Sequence, residues 1–303
     1  MWVRGPVSSI TRRTFCRRLL HRAPLSLLLD TVSKDAAAAG RMTAHIGEAW
    51  LQGQTTYGGL TAALCLHGGR TLLAEDKLPI RSAHITFVGP TGADVAIDST
   101  IMKRGKSMAF VRSELVGANG LATSSCLAFG KTRASSIDRS FVAPPPDDLP
   151  PPADSPLLFP ALDFTPPIFA QNFEARLAKG GAMDGLGADA SNWLWVRHVG
   201  AVHDGGVADV PPDVALLALA DMPPPALLPL LPPGGKFPNV SSITWMVNWL
   251  DDQPAAGDGG WWLIESRAES AHVGYSSQNM SVWGGDVTRG PALVGRQLVA
   301  VYV

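Results

Sequence analysis

The sequence predicts an α+β chain made of two similar halves, each an antiparallel meander wrapped around one buried helix. Two helical segments, Leu60–His67 and Val210–Asp221, are apolar almost all round. Each is followed by strand-like segments separated by short turns. The order strand, apolar helix, strands therefore occurs twice along the chain, an internal repeat at domain scale.

The first half opens with Met42–Trp50, which alternates loosely and ends on an aromatic, as a strand does. Tyr57-Gly58-Gly59 leads into the first helix. There Ala62, Ala63, Leu64, Cys65 and Leu66 leave no polar face, so the helix has to be enclosed. Gly68-Gly69 is expected to stop it. Four strands follow, Ala83–Val88, Asp94–Lys103, Ser107–Val116 and Leu121–Phe129. Gly89-Pro90-Thr91-Gly92, Arg104-Gly105-Lys106 and Gly117–Gly120 separate them, short turns with Gly or Asn available for positive φ.

Ala134–Pro160 reads as a linker. Pro144-Pro145-Pro146 and Pro150-Pro151-Pro152 stand among acidic residues, which makes it extended and stiff. The second half begins with strands Phe173–Ala178 and Trp193–Val199. Its helix opens at Pro211-Pro212, and strands Ser242–Leu250, Trp261–Ser270, Gly274–Val282 and Leu293–Val301 complete it. Lys179–Asn192 reads as a flexible insertion. Gly185-Leu186-Gly187 within it faintly matches a dinucleotide fingerprint, but it follows no strand and opens no βαβ unit. Pairing the two sheets edge to edge would bury both end strands and place a homodimer-like interface inside one chain. The expected division is a basic leader at 1–29, a first domain at 30–133, the linker at 134–160 and a second domain at 161–303.

Composition excludes several function classes. Hydrophobic residues make up 46% and charged ones 17%, enough apolar material for one large domain or two ordinary ones. A net charge of −1 and a pI near 6.6 give no basic face for nucleic acid and no polybasic membrane patch. No apolar stretch reaches the roughly 18 to 20 residues of a membrane span. The best run, Val214–Leu231, is broken by Asp221 and Pro223–Pro225. Cys16, Cys65 and Cys126 cannot build a disulfide framework; Cys65 and Cys126 lie in apolar runs and read as buried free thiols of a reducing compartment. The histidines lack the short spacings of zinc sites, so no metal is expected. Met1–Leu29 carries Arg4, Arg12, Arg13, Arg17, Arg18 and Arg22 and no acid. That is the composition of a transit peptide, so the expected location is mitochondrial, otherwise cytoplasmic; a mispredicted gene start and a disordered basic tail are the other readings. Gly105-Lys106-Ser107-Met108-Ala109 approximates the nucleophile elbow of serine hydrolases. It lacks the last Gly and lies in a hairpin, so that class is set aside.

Tyr57-Gly58-Gly59-Leu60, His84-Ile85-Thr86-Phe87-Val88-Gly89-Pro90 and Arg104-Gly105-Lys106-Ser107 resemble the first hotdog of type II acyl-CoA thioesterases. Trp195-Val196-Arg197, Leu217-Ala218-Leu219-Ala220-Asp221, Gly274-Tyr275 and Gly295-Arg296-Gln297-Leu298 resemble the second. The resemblance runs in order from about Thr43 to Val303. It implies a tandem (double) hotdog, antiparallel sheets each wrapped around a buried central helix. It also implies hydrolysis of acyl-CoA in fatty acid metabolism, with acyl-CoA as the partner and no cofactor. The family holds a water with an Asp, a Ser or Thr, and a Gln. These fall on Asp221, Ser242 and Gln297. Ser242 in place of Thr is a departure that keeps the hydroxyl, and the turn before Gln297 is one residue shorter.

The chemistry suits those roles. Thioester hydrolysis needs an oriented water, a base and donors for the oxyanion. Asp221 ends an apolar run at a helix C-terminus. Poor solvation and the negative dipole end both push a carboxyl pKa upward, although a surface Asp closing a helix before Pro223 would look the same. Ser242 starts an apolar strand and either faces a water or bonds its own backbone. Gln297, on the last strand, is either a buried amide in need of partners or a solvent-facing residue. Gly58 and Gly59 at a helix N-terminus can present N–H groups to an oxygen anion, or simply allow close packing. Arg104, Lys106 and Arg112 are candidates for CoA phosphates, against the alternative of solvated turn charges. Trp245, Trp249, Trp261 and Trp262 either shape an acyl tunnel or fill the core. A hotdog hydratase is disfavoured, because the second helix holds no His. A non-catalytic acyl-binding or structural hotdog protein stays open, as do acyl length, a carrier-protein substrate and a homo-oligomer.

Overall fold

The computed structural model describes residues 23–302 apart from 36–37, 160–165, 181–189, 200–206, 208 and 232–237. The leader up to residue 22 with Cys16, the insertion at 181–189 with its glycine motif, and His203 lie outside the described residues.

The first half contributes β1 (Ser33–Lys34), β2 (Arg41–His45), β3 (Ile80–Phe87), β4 (Asp94–Arg104), β5 (Met108–Gly117) and β6 (Gly120–Gly130). The second contributes β7 (Phe173–Gly180), β8 (Ser191–His198), β9 (Asn239–Trp249), β10 (Trp262–His272), β11 (Tyr275–Trp283) and β12 (Leu293–Tyr302). All join one antiparallel sheet in the order β1-β2-β4-β5-β6-β3-β9-β12-β11-β10-β8-β7. The halves meet at β3 and β9, where Thr86 pairs with Thr244, Ile85 with Trp245 and His84 with Met246. Outward from this seam the succession is β3, β6, β5, β4, β2, β1 on one side and β9, β12, β11, β10, β8, β7 on the other. The two strands that would be edges in separate halves are both interior, which removes two aggregation-prone edges.

Helix α1 (Leu25–Asp30) packs beside β2. Helices α2 (Gly58–Leu72) and α3 (Pro212–Ala220) pack against each other, and α2 also lies against β4, β5 and β6. Gly59 through Leu66 of α2 and Asp213 through Ala220 of α3 are buried. The two helices run antiparallel. Tyr57 Oη, at the start of α2, donates to the Ala218 carbonyl at the end of α3 at 2.8 Å. Arg70 Nη1, near the end of α2, lies 2.5 Å from Asp213 Oδ2 at the start of α3.

Gly68-Gly69 does not stop α2, which continues to Leu72. The glycines serve close approach instead. A Cβ on Gly69 would sit 2.6 Å from Leu127 Cδ1, and one on Gly68 would sit 2.7 Å from Ser99 Oγ. Met42–Trp50 is only half strand: after β2 the chain turns through a 3₁₀ segment, Glu48–Trp50, that buries Ala49 and Trp50. Cys126 is exposed, contrary to the sequence expectation, whereas Cys65 is buried and its thiol is pushed up to about 12 by burial. The reason is the period of a strand: Ser125 and Leu127 face inward on β6, so Cys126 faces out.

The later part of the linker is docked rather than free. Trp195 Nε1 donates to the Pro150 carbonyl at 2.9 Å. The Leu158 N–H bonds Ala175 O and the Leu177 N–H bonds Pro156 O, both at 2.9 Å. This stretch therefore runs along β7 and covers that edge of the sheet. Among the described residues no helix is long and apolar enough to cross a membrane.

Candidate active site

The antiparallel crossing of α2 and α3 brings Asp221, the residue that ends α3, to the first turn of α2. A Cβ on Gly58 would lie 2.9 Å from Asp221 Oδ2, and the Gly59 N–H beside the Asp221 carboxylate favours its ionised form. Both glycines are needed for approach, since a Cβ on Gly59 would sit 2.5 Å from Tyr57 Oη and 2.8 Å from Ala218 O. Asp221 is half-buried as a residue. Burial of its carboxyl raises the pKa to about 7, while hydrogen bonds from Gln297 and the Gly59 N–H limit the rise. Tyr57 closes one wall. Its ring stacks on Phe169 with centroids 4.0 Å apart. Its phenol is pushed well above the ordinary range by burial and then by the charge of Asp221.

Gly58→Ala would drive a methyl against Asp221 Oδ2 and to 3.3 Å from Phe87 Cε1. Overpacking of this kind costs about 1–3 kcal/mol. The expected result is a melting temperature lower by a few degrees, read by thermal denaturation. An unchanged melting temperature would show that the Asp221 carboxylate can move aside without cost.

Ser242 reaches the same place through an irregularity of β9. Trp245, Val247 and Trp249 face inward on that strand. Strict alternation would turn Ile243 inward and Ser242 outward. The register between β9 and β12 shifts between Ser242 and Thr244, so Ile243 is an extra residue in the ladder. This bulge resets the phase and pairs Ser242 with buried Val299. Gln297 pairs with Trp245 on the same inward face and is itself buried.

The three side chains meet at one nitrogen. Gln297 Nε2 donates to Asp221 Oδ1 at 2.7 Å and to Ser242 Oγ at 2.9 Å. Gln297 Oε1 accepts from Gln278 Nε2 at 2.8 Å, and Gln278 Oε1 accepts the Ala226 N–H at 3.0 Å. The surroundings are apolar. Met222 and Trp245 are buried nearby in sequence and register, and Leu227, Val299 and Val301 form a small cluster with Leu231, Val240 and Ala268.

The cationic candidates are not gathered here. Arg112 alternates with buried Val111 and Ser113 on β5, so it faces away from the helices, 3.9 Å from Glu114. Arg104 pairs with Asp76, just beyond the C-terminal end of α2, and Lys106 is exposed on the adjoining turn. Asp221 lies at the other end of α2, roughly 20 Å away at 1.5 Å per residue. The tryptophans also part company. Trp245, Trp249 and Trp262 are buried, whereas Trp261 lies beneath the guanidinium of Arg197 at 4.4 Å. Among the described residues no cluster of His, Cys, Asp and Glu could hold a metal.

Tyr57 and Gln278 were not singled out from the sequence as site residues. Gln278 left a signal: it shares the inward phase of β11 with Met280 and Val282, where an apolar residue is expected. Tyr57 left only its place before two glycines.

Residues 146–301 match the family model of the acyl-CoA thioesterase C-terminal domain, and residues 46–130 match that of the acyl-CoA thioesterase N-terminal domain. Several solved structures are similar in fold. A conserved protein of unknown function with a hot dog fold from Alicyclobacillus acidocaldarius is 23% identical with a TM-score of 0.71, over 90% of this chain and 96% of that one. A putative thioesterase II from Thermobifida fusca is 18% identical with a TM-score of 0.71, over 93% and 100%. An acyl-CoA thioesterase II from Mycobacterium marinum is 16% identical with a TM-score of 0.60, over 91% and 97%. No curated protein sequence matches significantly.

Proposed function

Because the chain belongs to the acyl-CoA thioesterase family, we propose that it hydrolyses acyl-CoA to free acid and CoA, using a water held by Asp221, Ser242 and Gln297. The observation that carries this reading is the single amide nitrogen of Gln297 bonded to both Asp221 and Ser242 in a largely apolar interior. We read the sheet as two hotdogs in tandem, divided at 134–160, each wrapped around its own helix. The repeated strand order outward from the seam supports that division.

In this mechanism ionised Asp221 takes a proton from the water as its oxygen attacks the thioester carbonyl carbon. Gln297 fixes both acceptor oxygens. The Ser242 hydroxyl, already accepting from Gln297, has its own hydrogen free to orient the water. The Gly58 N–H, at the start of α2, is the donor we assign to the developing oxyanion, with the Gly59 N–H favouring ionised Asp221. When the carbon–sulfur bond breaks, the proton on Asp221 passes to the departing thiolate, and acid and thiol leave in balance.

A panel of acyl-CoA thioesters of varied length and branching tests the proposal, read as thiol release. Turnover that survives purification and follows protein concentration is expected. No turnover on any member would leave an acyl-binding or structural role.

The carboxyl pKa near 7 also fixes two pH dependences. The base must be ionised, so kcat/KM should rise with unit slope below about pH 7 and level off above it. Stability runs the other way. A folded pKa above the unfolded value of about 3.9 means the aspartate's contribution is favourable below pH 4 and is lost as pH rises through 7. Asp221→Asn should therefore melt higher than wild type at pH 8, with the difference vanishing near pH 4. An Asn variant that melts lower at pH 8 would contradict the burial of an ionised carboxylate.

A further inference from the structure

We propose that Gln278 is a positioning residue: it fixes which way round the Gln297 amide is held and thereby keeps Asp221 ionisable. This rests on the reading of Asp221 as the base.

An amide has two ends of nearly the same shape, one a donor and one an acceptor. The partners at the catalytic end of Gln297 do not choose between them. A hydroxyl both donates and accepts, and a protonated carboxyl can donate to a carbonyl as readily as a carboxylate accepts from an NH₂ group. The choice is made at the far end, where Gln297 Oε1 meets Gln278 Nε2 at 2.8 Å. Gln278 is itself a reversible amide, so it needs an anchor. The anchor is the Ala226 N–H, 3.0 Å from Gln278 Oε1. A backbone N–H can only donate, so it sets the direction of everything beyond it. Gln278 must turn its oxygen to Ala226 and its NH₂ to Gln297. Gln297 must then turn its NH₂ to Asp221 and Ser242.

The anchor is also well placed in the chain. Pro223, Pro224 and Pro225 have no N–H, so beyond Met222 the first donor after Asp221 is that of Ala226. Met222 N–H is used by Leu219 O. The segment that begins with the base thus ends with the donor that orients the amide touching the base. Gln278 and Gln297 are both buried, which strengthens each bond and penalises reversal, because a flipped Gln297 amide would set its NH₂ against the NH₂ of Gln278.

Two variants and two readouts test this. Gln278→Met keeps the length of the side chain without donor or acceptor, so the Gln297 amide loses its direction. Gln278→Glu keeps the shape and accepts at both ends, so it draws the Gln297 NH₂ away from Asp221 and adds a negative charge. The expected result is an upward move of the acidic limb of kcat/KM, by about half a pH unit or more for Met and further for Glu, where one unit is a tenfold loss on that limb. The plateau above pH 9 should recover much of the lost rate. A purely packing role would lower activity equally at every pH and leave the limb in place in both variants, which overturns the proposal. The second readout is the ¹³C titration of the Asp221 carboxyl, assigned by its disappearance in Asp221→Asn. It should move upward with the same order, Glu above Met above wild type, whether or not the protein turns over a thioester. An unmoved titration overturns the positioning role. An inactive wild type with a shifted titration overturns the thioesterase reading alone.

Discussion

Asp221→Asn is expected to lower kcat on the order of 10²-fold or more while KM changes by less than about twofold. Asn has the shape of Asp and still offers Oδ1 to Gln297 Nε2, now 2.7 Å from the carboxylate. What disappears is the capacity to take a proton, so the loss should fall on the chemical step and appear in single-turnover kinetics. Ser242→Ala and Gln297→Ala should each lose less. Their double variant should lose much less than the product of the two, because the proposed mechanism has both act on one water and they share one hydrogen bond. A fully active Asn variant would remove Asp221 from the mechanism however well it is placed.

Arg70→Met is expected to produce a large and pH-dependent loss of stability in the helix pair. The Asp213 side chain is only 7% exposed, and Arg70, 2.5 Å away, is its charged partner. Removing one member of a buried pair costs about 3–5 kcal/mol, and the low end applies because Arg70 is one-third exposed. Burial already raises the Asp213 pKa, and Arg70 opposes that rise. Without the guanidinium the folded pKa climbs further above the unfolded value. The penalty is then absent where both states are protonated, below about pH 4, and complete above the new folded pKa. Thermal melts of variant and wild type should nearly coincide at pH 4 and diverge by several degrees at pH 8. Adding Asp213→Asn should restore much of the difference at pH 8. A gap independent of pH would mean that Arg70 stabilises by packing alone.

The sequence made the helices legible because an all-apolar helix has few stable places. Leu64 and Leu217, both with 0% exposure, occupy them. Strand positions followed from turn signals to within a residue or two at most ends. Three features could not be read locally. Gly68-Gly69 looked like a helix stop because termination and close approach both select glycine, and only Ser99 and Leu127 across the gap distinguish them. Cys126 looked buried because its neighbours are apolar, yet the period of the strand turns it outward. The inward aim of Ser242 depends on the bulge at Ile243, which no turn residue marks. Period-two alternation from Trp245 would have pointed Ser242 to solvent, so that residue entered through a family resemblance rather than through pattern. Gln278 was readable as a polar residue in a core phase, but its partner Ala226 belongs to a proline-rich loop whose path no periodicity describes.

The repeated strand order has a genetic consequence. Opposite the seam residues Trp245 and Ile85 stand Gln297 and Ser125, and opposite those stand Gln278 and Ser113. At one end of the helix pair two glycines admit a carboxylate; at the other end an arginine clamps an aspartate. In an assembly of two identical subunits every codon change is expressed at both ends of such a pair, so a mutation that sharpens one also alters its twin. With both halves in a single reading frame, each end has its own codons. One can keep a destabilising acid for chemistry while the other accumulates ion pairs and small hydroxyls for cohesion, and neither set of changes has to be tolerated at the opposite place.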